Sequence, residues 1–446
     1  MRIDKTKFGS AMRKLDYRVM ILLLLLVSSP SFSEPVPEKE IPQSLTLEQA
    51  VDFALQNNPD ERIQEEAVQA AKAQYIQARS AALLQVGLTV ETDHSANISG
   101  GSSAKTGNNA FSTLEASQPL YSFGKLGRAQ EIARYNIQYQ EAILAQTKQS
   151  IIYQVTAAFY AVLLQEELIR VNEESVKTAE EHLKTAQIRF DKGVNTLYDA
   201  TRAKVDLANR KPNLISAKND LIKARQNLNQ LFNLPPNTAL NLLGKLAYQD
   251  YSSDLSYAWM IAQENRPDLK SLQLTLKLNE SKVRLKTAQY LPEITLGADY
   301  TMDHPDYTGS DAADFQTWSA NVKLTMPIFD SYNISGQIKE AKANFNQSKL
   351  AYEKGKLAAQ TEVEQAILEI AKQKELVGAS QEAVELAQLA LTMGQKSYAI
   401  GYATSLDVSD VELSLTTAQT NWATAVNNYL VALAGLKKAL GTNGLP

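Results

Sequence analysis

The sequence has 446 residues, a formal net charge of −4 and no cysteine. The lack of cysteine excludes a disulfide-stabilised fold, and the acidic balance does not favour binding to nucleic acid. Only 7% of the residues are aromatic, whereas Ala, Gln, Leu, Lys and Glu are abundant. This composition is typical of long helices.

The N-terminus has the pattern of an export signal, which we assign to residues 1–33. Six basic residues precede a short apolar core from Val19 to Val27, which is shorter than the ~20 residues of a spanning helix. A membrane anchor is the alternative. Cleavage before Glu34 would remove six positive and two negative charges, so the net charge would change from −4 to −8. The proline-rich residues 34–44 are then predicted to form an extended leader.

The first of two structural repeats covers residues 45–245. After two short helices, alternating apolar and polar residues predict strands at about 85–93 and 111–121, separated by a loop rich in Gly, Ser and Asn. Two long helices are predicted at about 124–191 and 196–232. At ~1.5 Å per residue, the first would be on the order of 100 Å long.

The second repeat, residues 246–441, has the same elements in the same order. Strands are predicted at about 293–303 and 317–329, and long helices at about 334–399 and 404–440. Each long helix ends at a turn that contains glycine, and a second helix then returns along it. The predicted fold is therefore mainly helical, with two strands in each half.

Four landmark residues recur at a constant interval of 208 residues. A solenoid repeat usually spans about 20–50 residues, so we infer two copies of one structural half. One position departs from the pattern. Leu84 stands where the second copy has Pro292, and we expect the first helix-to-strand corner to be built differently. The recurring pairs are Pro59 and Pro267, Pro119 and Pro327, Gly193 and Gly401, and Asp199 and Asp407.

Four strands of about ten residues fit the length of an outer-membrane barrel strand, but they are too few to close a barrel. Open edges in lipid would leave backbone groups unpaired at several kcal/mol each. If the strands lie in a membrane, the protein must therefore oligomerise, at least as a dimer. A soluble sheet with one wet face is the alternative. Acidic side chains on the polar strand faces favour a water-filled lumen: Glu91, Asp93, Asp299 and Asp303.

With these features, the chain resembles the TolC family of outer-membrane efflux proteins over about residues 45–441. Single motifs are weak, but their duplicated order is specific. The residues that carry the resemblance are Leu47-Glu48-Gln49-Ala50 through Asn58-Pro59, Gln118-Pro119-Leu120-Tyr121, Tyr290-Leu291-Pro292, Met326-Pro327-Ile328-Phe329, and the two turns that end in Asp199 and Asp407.

The resemblance implies a homotrimer, with a twelve-stranded membrane β-barrel made of four strands from each chain and a periplasmic α-helical barrel. It implies a passive exit duct in the cell outer membrane, part of a tripartite efflux or type I secretion system, for small molecules or polypeptides. The implied partners are outer-membrane lipid, a periplasmic adaptor (membrane fusion) protein and an inner-membrane pump or ABC exporter.

In this family an aspartate ring near the second turn narrows the tunnel and binds cations, and Asp407 and Asp410 match its two positions. Three chains would bring six carboxylates together and raise the local negative potential. We assign Asp199, in the first repeat, to the same constriction. Thr404 with Asp407, and Thr196 with Asp199, also fit helix capping boxes, so capping is the alternative role of these two aspartates.

We also assign Tyr398 to the constriction, because it matches a family tyrosine that helps to hold the closed tip by hydrogen bonding between neighbouring helices, and core packing is its alternative role. A family arginine that tethers the closed state falls at Ala403, which cannot do so. Either another residue substitutes, or this tip opens more easily. The resemblance also places adaptor contacts at the two turns, where the glycines alternatively serve only to permit the hairpin: Gly193, Val194, Gly401 and Tyr402.

The residues give little support for catalysis. His94, His182 and His304 are isolated, and no metal-ligand spacing, nucleophile elbow or phosphate loop is present. We therefore predict no enzyme activity, cofactor or metal site. The alternative functions are a structural coiled-coil stalk without transport and a general diffusion porin. The paired strands at matching points disfavour the stalk, and the high helical content disfavours the porin.

Overall fold

The computed structural model describes residues 44–97, 105–194, 196–251, 254–305, 315–442 and 444. The predicted signal and leader, up to residue 43, lie outside the described residues. In chain order the elements are β1 (Ser44–Leu45), α1 (Leu47–Asn57), α2 (Pro59–Ser80), β2 (Gln85–Asn97), β3 (Lys105–Tyr121), α3 (Lys125–Asp191), α4 (Leu197–Leu231), β4 (Asn241–Leu242), α5 (Leu255–Asn265), α6 (Pro267–Ala288), β5 (Glu293–Pro305), β6 (Phe315–Thr325), α7 (Asn333–Ala399) and α8 (Ser405–Leu440).

The first two helices of each repeat meet at a proline. Asn58 caps α2 by accepting a hydrogen bond from the backbone N–H of Asp60, and Pro59 occupies the first turn. Pro267 has the same position in α6. Proline is favoured here because the first N–H groups of a helix have no intrahelical partner. The duplicated Pro-Asp motif of the sequence is therefore a helix start in both repeats.

The four longer strands form one antiparallel sheet in the order β2-β3-β5-β6. Directly opposite residues share a face, and successive residues alternate between faces. One face is apolar and exposed, and the other carries the Glu115–Asp299 and Thr113–Thr301 pairs. The apolar face includes Val86, Leu88, Leu114, Leu296, Trp318, Val322 and Leu324.

The strands differ in length from the prediction. β2 and β3 pair as far as Asn97 and Lys105, so part of the expected loop belongs to the ladder. Gly, Ser and Asn only weakly oppose strand structure where a neighbouring strand completes the hydrogen bonds. The fourth strand was predicted to continue to Phe329, but it ends at Thr325. Pro327 follows, and proline has no N–H to extend the ladder.

The long helices α3 and α7 each contain 67 residues, which corresponds to about 100 Å. Each starts directly after a residue with left-handed backbone, Gly124 (φ 83°) in the first repeat and Tyr332 (φ 66°) in the second. The return helices α4 and α8 pack along α3 and α7. We call α3 with α4 the first helical arm, or hairpin, and α7 with α8 the second. Because the left-handed residue before the long helix and the length of that helix are both duplicated, the two arms are built alike.

Each repeat has its own hydrophobic core near the middle of its long helix. In the first, Val155 and Phe159 of α3 pack with Phe232 and with residues of α1. In the second, Val363 of α7 packs with Tyr429 of α8 and with residues of α5. The predicted fold class is confirmed in its mainly helical content, its duplicated half and its strand pairs.

The two helix-to-strand corners are alike, although we expected them to differ. Ala81 (φ −60°, ψ −18°) and Gln289 (φ −62°, ψ −22°) have nearly the same backbone conformation after α2 and α6. Leu84 therefore replaces Pro292 without a change of corner, because an extended residue at that point does not require proline. Among the described residues, no helix is both long and apolar enough to cross a membrane.

Candidate functional site at the helical tips

Each long helix ends in a turn closed by a hydrogen bond that spans five residues. The N–H of Val194 donates to the carbonyl of Arg189 (2.8 Å), and the N–H of Tyr402 donates to that of Ser397 (2.9 Å). This pattern requires left-handed backbone at the preceding residue, and the glycines there have φ values of 74° and 86°. Val194 and Tyr402 are 70% and 87% exposed, so both turns present apolar side chains to solvent.

Asp199 and Asp407 cap the two return helices. A carboxylate oxygen of Asp407 accepts hydrogen bonds from the N–H and the hydroxyl of Thr404, both at 2.7 Å. Asp199 accepts the same bonds from Thr196, at 3.0 and 2.8 Å. These hydrogen bonds to the charged form lower the pKa of both carboxyl groups. The aspartates therefore keep their negative charge while they cap.

We expect Thr404→Val to loosen the start of α8, because valine keeps the shape of threonine and removes the hydroxyl that closes the cap. An N-cap is typically worth about 1 kcal/mol, so amide hydrogen exchange in the first turn of α8 should become about five times faster. Mass spectrometry of exchanged peptides measures this. Thr417→Val is the matched control, because the Thr417 hydroxyl bonds only within the helix. Equal exchange in both variants would contradict the cap.

Asp410 lies on the same helix as Asp407, about one turn further in, and its side chain is exposed. Residues three apart on a helix face the same side. The Asp410 backbone carbonyl accepts a hydrogen bond from the Ser414 hydroxyl, and this bond does not involve the carboxylate. The structure thus brings Asp407 and Asp410 together on one face, and places Asp199 separately at the start of α4.

Tyr398 connects the two repeats near their tips. Its ring stacks on that of His182 in α3 (centroids 5.7 Å apart), and the guanidinium carbon of Arg189 lies 4.2 Å from its centroid. Nε2 of His182 also lies 2.8 Å from the hydroxyl of Ser405, at the start of α8. Arg189 also donates a hydrogen bond to the backbone carbonyl of Tyr398 (3.5 Å). The ring and the backbone of Tyr398 therefore both contribute to the contact between the arms, whereas its buried hydroxyl has no hydrogen-bond partner among the described residues.

A buried charge cluster joins α3, α4 and α8, further from the turns than the contacts of Tyr398. The Arg210 guanidinium in α4 contacts Glu412 of α8 (3.1 Å), Asp206 (2.7 Å) and the backbone carbonyl of Ser175 in α3 (3.3 Å). Burial raises the pKa of Glu412, and Arg210 opposes this rise. Arg210 and Glu412 are both almost inaccessible to solvent. The stability of this cluster therefore depends on the positive charge of Arg210, which compensates the negative charges of Glu412 and Asp206.

Sequence reasoning did not identify Arg189, His182, Arg210 or Glu412. A signal existed for the last two, because Glu412 lies between Val408 and Leu415 on the buried stripe of α8 and Arg210 has a similar place in α4. A charged residue at a buried helical position requires a partner. No comparable signal marks His182 and Arg189, because their contacts depend on how the two arms pack. No described group of three or more His, Asp or Glu is placed to bind a metal ion.

Comparisons with known proteins identify the family of the chain. The sequence matches the outer membrane efflux protein family over residues 50–234 and 260–442, one block in each repeat. A curated relative, nodulation protein T of Rhizobium leguminosarum bv. trifolii, is 22% identical over 182 residues. That alignment covers 41% of this chain and spans only 39% of the relative's length.

Solved structures extend the likeness in fold to nearly the whole chain. The open state of the MtrE outer membrane channel of Neisseria gonorrhoeae has a TM-score of 0.77 at 21% identity, covering 93% of this chain and 96% of that one. The CmeC outer membrane channel of Campylobacter jejuni has a TM-score of 0.76 at 18% identity, covering 93% of both chains. Since the family match covers both repeats, the chain belongs to the outer membrane efflux protein family and is located in the outer membrane.

Proposed function

We propose that the chain is the outer-membrane exit duct of a tripartite efflux or type I secretion system, in which three copies enclose one tunnel. Small molecules or polypeptides would pass from an inner-membrane pump or ABC exporter through this tunnel to the outside. The duct itself would be passive, and its periplasmic tip would act as the gate.

The proposal rests on the sheet, which has one apolar face, one polar face and two outer strands that each pair on one side only. β2 and β6 are the outermost strands, and an edge exposed to lipid would cost several kcal/mol for each unpaired group. Pairing β6 of one copy with β2 of the next would remove the edges, and three copies would contribute twelve strands. The apolar face, with Val322, would then face lipid. The polar face, with Asp299 and Lys323, would face water.

The tips support a gate at the periplasmic end. Asp407 and Asp410 are exposed on one face of α8, and three copies would gather six carboxylates around the axis. Capping does not remove this charge, because the hydrogen bonds from Thr404 lower the pKa of Asp407. Such a ring would attract cations and exclude anions. We also propose Tyr398 and Asp199 as residues of this constriction, where the ring of Tyr398 packs between the arms and Asp199 caps α4.

The exposed turns support docking of a periplasmic adaptor. Val194 and Tyr402 project from the ends of the two hairpins, and isolated apolar side chains at such tips can serve as anchors in a partner's groove. Gly193 and Gly401 would contribute indirectly, through the left-handed backbone that shapes the turns.

Single-channel conductance in a planar bilayer tests the duct. We expect the wild-type protein to show a small, cation-selective conductance that multivalent cations block. In the Asp407→Asn/Asp410→Asn variant, selectivity for cations should weaken and the block should be relieved, because asparagine keeps a capping oxygen but carries no charge.

The matched control is Glu382→Gln/Glu385→Gln. It removes the same charge from two exposed positions three apart on α7, well before its last turn, and should leave block and selectivity unchanged. Equal effects in both double variants would contradict the constriction. A well-folded oligomer that conducts no ions in any form would contradict the duct.

A further inference from the structure

One histidine sits at the contact between the two arms. His182 of α3 lies against Tyr398, at the end of α7, and against Ser405, the first residue of α8. His182, in the first hairpin, therefore contacts the second hairpin on both sides of its turn, at the end of α7 and at the start of α8. The 24° angle between the rings of His182 and Tyr398 and the 2.8 Å contact with Ser405 define one arrangement of the arms.

The surroundings of His182 disfavour a positive charge. Its imidazole is half-buried, and Arg189 of the same helix already lies over the ring of Tyr398. Arg210 in α4 adds a second nearby cation, whereas Asp206 in α4 acts in the opposite direction. Burial is the largest effect, followed by Asp206, Arg210 and Arg189, and the balance lowers the pKa of His182.

The remaining charged groups near this contact are already engaged. Glu412 of α8 is bound to Arg210 at 3.1 Å, with Asp206 on the same guanidinium. Glu181 precedes His182 on α3 and acts on Glu412. From α7 and α8, the Tyr398 ring and the Ser405 hydroxyl contact the imidazole, and both are uncharged. A proton on His182 would thus add a cation to a half-buried site that already contains two arginines, with Asp206 opposing their effect.

We propose that His182 is a proton-sensitive latch, which in its neutral form holds the second hairpin against the first and on protonation releases it. The contacts that form the latch lie within one chain, so it would act in each protomer separately. Arg189 assists by holding the ring of Tyr398 from α3. A residue of the first arm would thus hold the second turn in place. Ala403 cannot do this, because it has no cationic side chain.

The direction of the pH effect follows from the lowered pKa. The latched state binds a proton more weakly than the released state, in which the imidazole regains its ordinary pKa of about 6.5. Above that value both states are neutral and the latch has its full strength. As the pH falls below it, the released state takes up the proton first and is favoured. The consequence for transport, a tip that opens more readily in acid, rests on the proposed function.

Distances between the two turns test the latch in the full-length protein. Since the chain has no cysteine, Val194→Cys and Tyr402→Cys introduce the only thiols, at exposed positions, for two spin labels. Co-expression with an excess of the cysteine-free chain leaves at most one labelled copy in most oligomers, so the measured distances lie within one chain. We expect a narrow distance distribution at pH 8 and a longer, broader one at pH 5.5, measured by pulsed electron paramagnetic resonance.

His182→Gln should abolish this shift and keep the narrow distribution at both pH values, because glutamine can bond Ser405 but cannot take up the proton. His182→Phe, which keeps a ring against Tyr398, gives the same test should the glutamine variant fail to assemble. His94→Gln, in the sheet, should respond like the wild type. A wild-type distribution that does not change with pH, or a shift that persists in both His182 variants, would overturn the latch.

The labels report the separation of the turns whether or not the protein conducts ions. A failure of the duct proposal in the bilayer would therefore leave this test valid. Conversely, a pH-independent distance with normal conductance would remove the latch and keep the duct.

Discussion

Val322→Arg is expected to prevent most of the protein from assembling in the outer membrane. Val322 lies on the apolar face of β6, opposite Leu296, and is 65% exposed in the single chain. If this face contacts lipid, an arginine near the middle of the bilayer costs about 2–4 kcal/mol. Every copy in an oligomer would carry this cost. The amount of heat-resistant oligomer in the outer-membrane fraction measures the effect.

Asn321→Arg is the matched control for this substitution. Asn321 is the preceding residue of the same strand and lies on the polar face, as does Lys323 on the other side of Val322. A cation therefore already occupies this face, and a second one should be tolerated. Equal loss of oligomer in both variants would contradict the two-sided sheet and would favour a sheet whose faces are both packed, whereas no loss in either variant would favour a sheet whose faces are both in water.

Arg210→Met is expected to cause the largest loss of stability among the substitutions at the helical tips. It removes the cation that contacts Glu412 and Asp206, and an unpaired buried charge typically costs about 3–5 kcal/mol. Asp206 is partly exposed and can turn to water, whereas Glu412 is buried. We therefore expect a lower midpoint of thermal unfolding, followed by circular dichroism of the helices in detergent.

A second substitution separates loss of the charge pair from loss of packing. In Arg210→Met/Glu412→Leu no uncompensated charge remains on α8, and the midpoint should return close to that of the wild type. The single variant should also become relatively more stable in acid, because burial raises the pKa of Glu412 and protonation removes its charge. A double variant as unstable as the single one would contradict this account.

The sequence predicted the large elements well because its signals are duplicated. Pro59 and Pro267 mark the same helix start, and Gly193 and Gly401 mark the same left-handed turn. Each landmark alone would be weak, but two copies at one interval identify the repeated unit. The resemblance to the TolC family, which rested on this order, is confirmed by the match to the outer membrane efflux protein family.

The ends of the strands and the contacts between the arms could not be predicted in the same way. Composition suggested a loop for residues that β2 and β3 pair in a ladder, since pairing across strands depends on residues distant in sequence. His182 appeared isolated because its partners, Tyr398 and Ser405, lie in the other repeat. The capping roles of Asp199 and Asp407 were predictable because a cap involves neighbours in sequence.

The equal length of α3 and α7, 67 residues each, imposes a constraint on how the gene can change. An insertion of seven residues in one arm alone would move its tip by about 10 Å. His182 would then lose Tyr398 and Ser405, and the two turns would no longer end at the same level for a common partner. We therefore expect lengthening or shortening of the helical arms to be tolerated only when both halves of the gene change together.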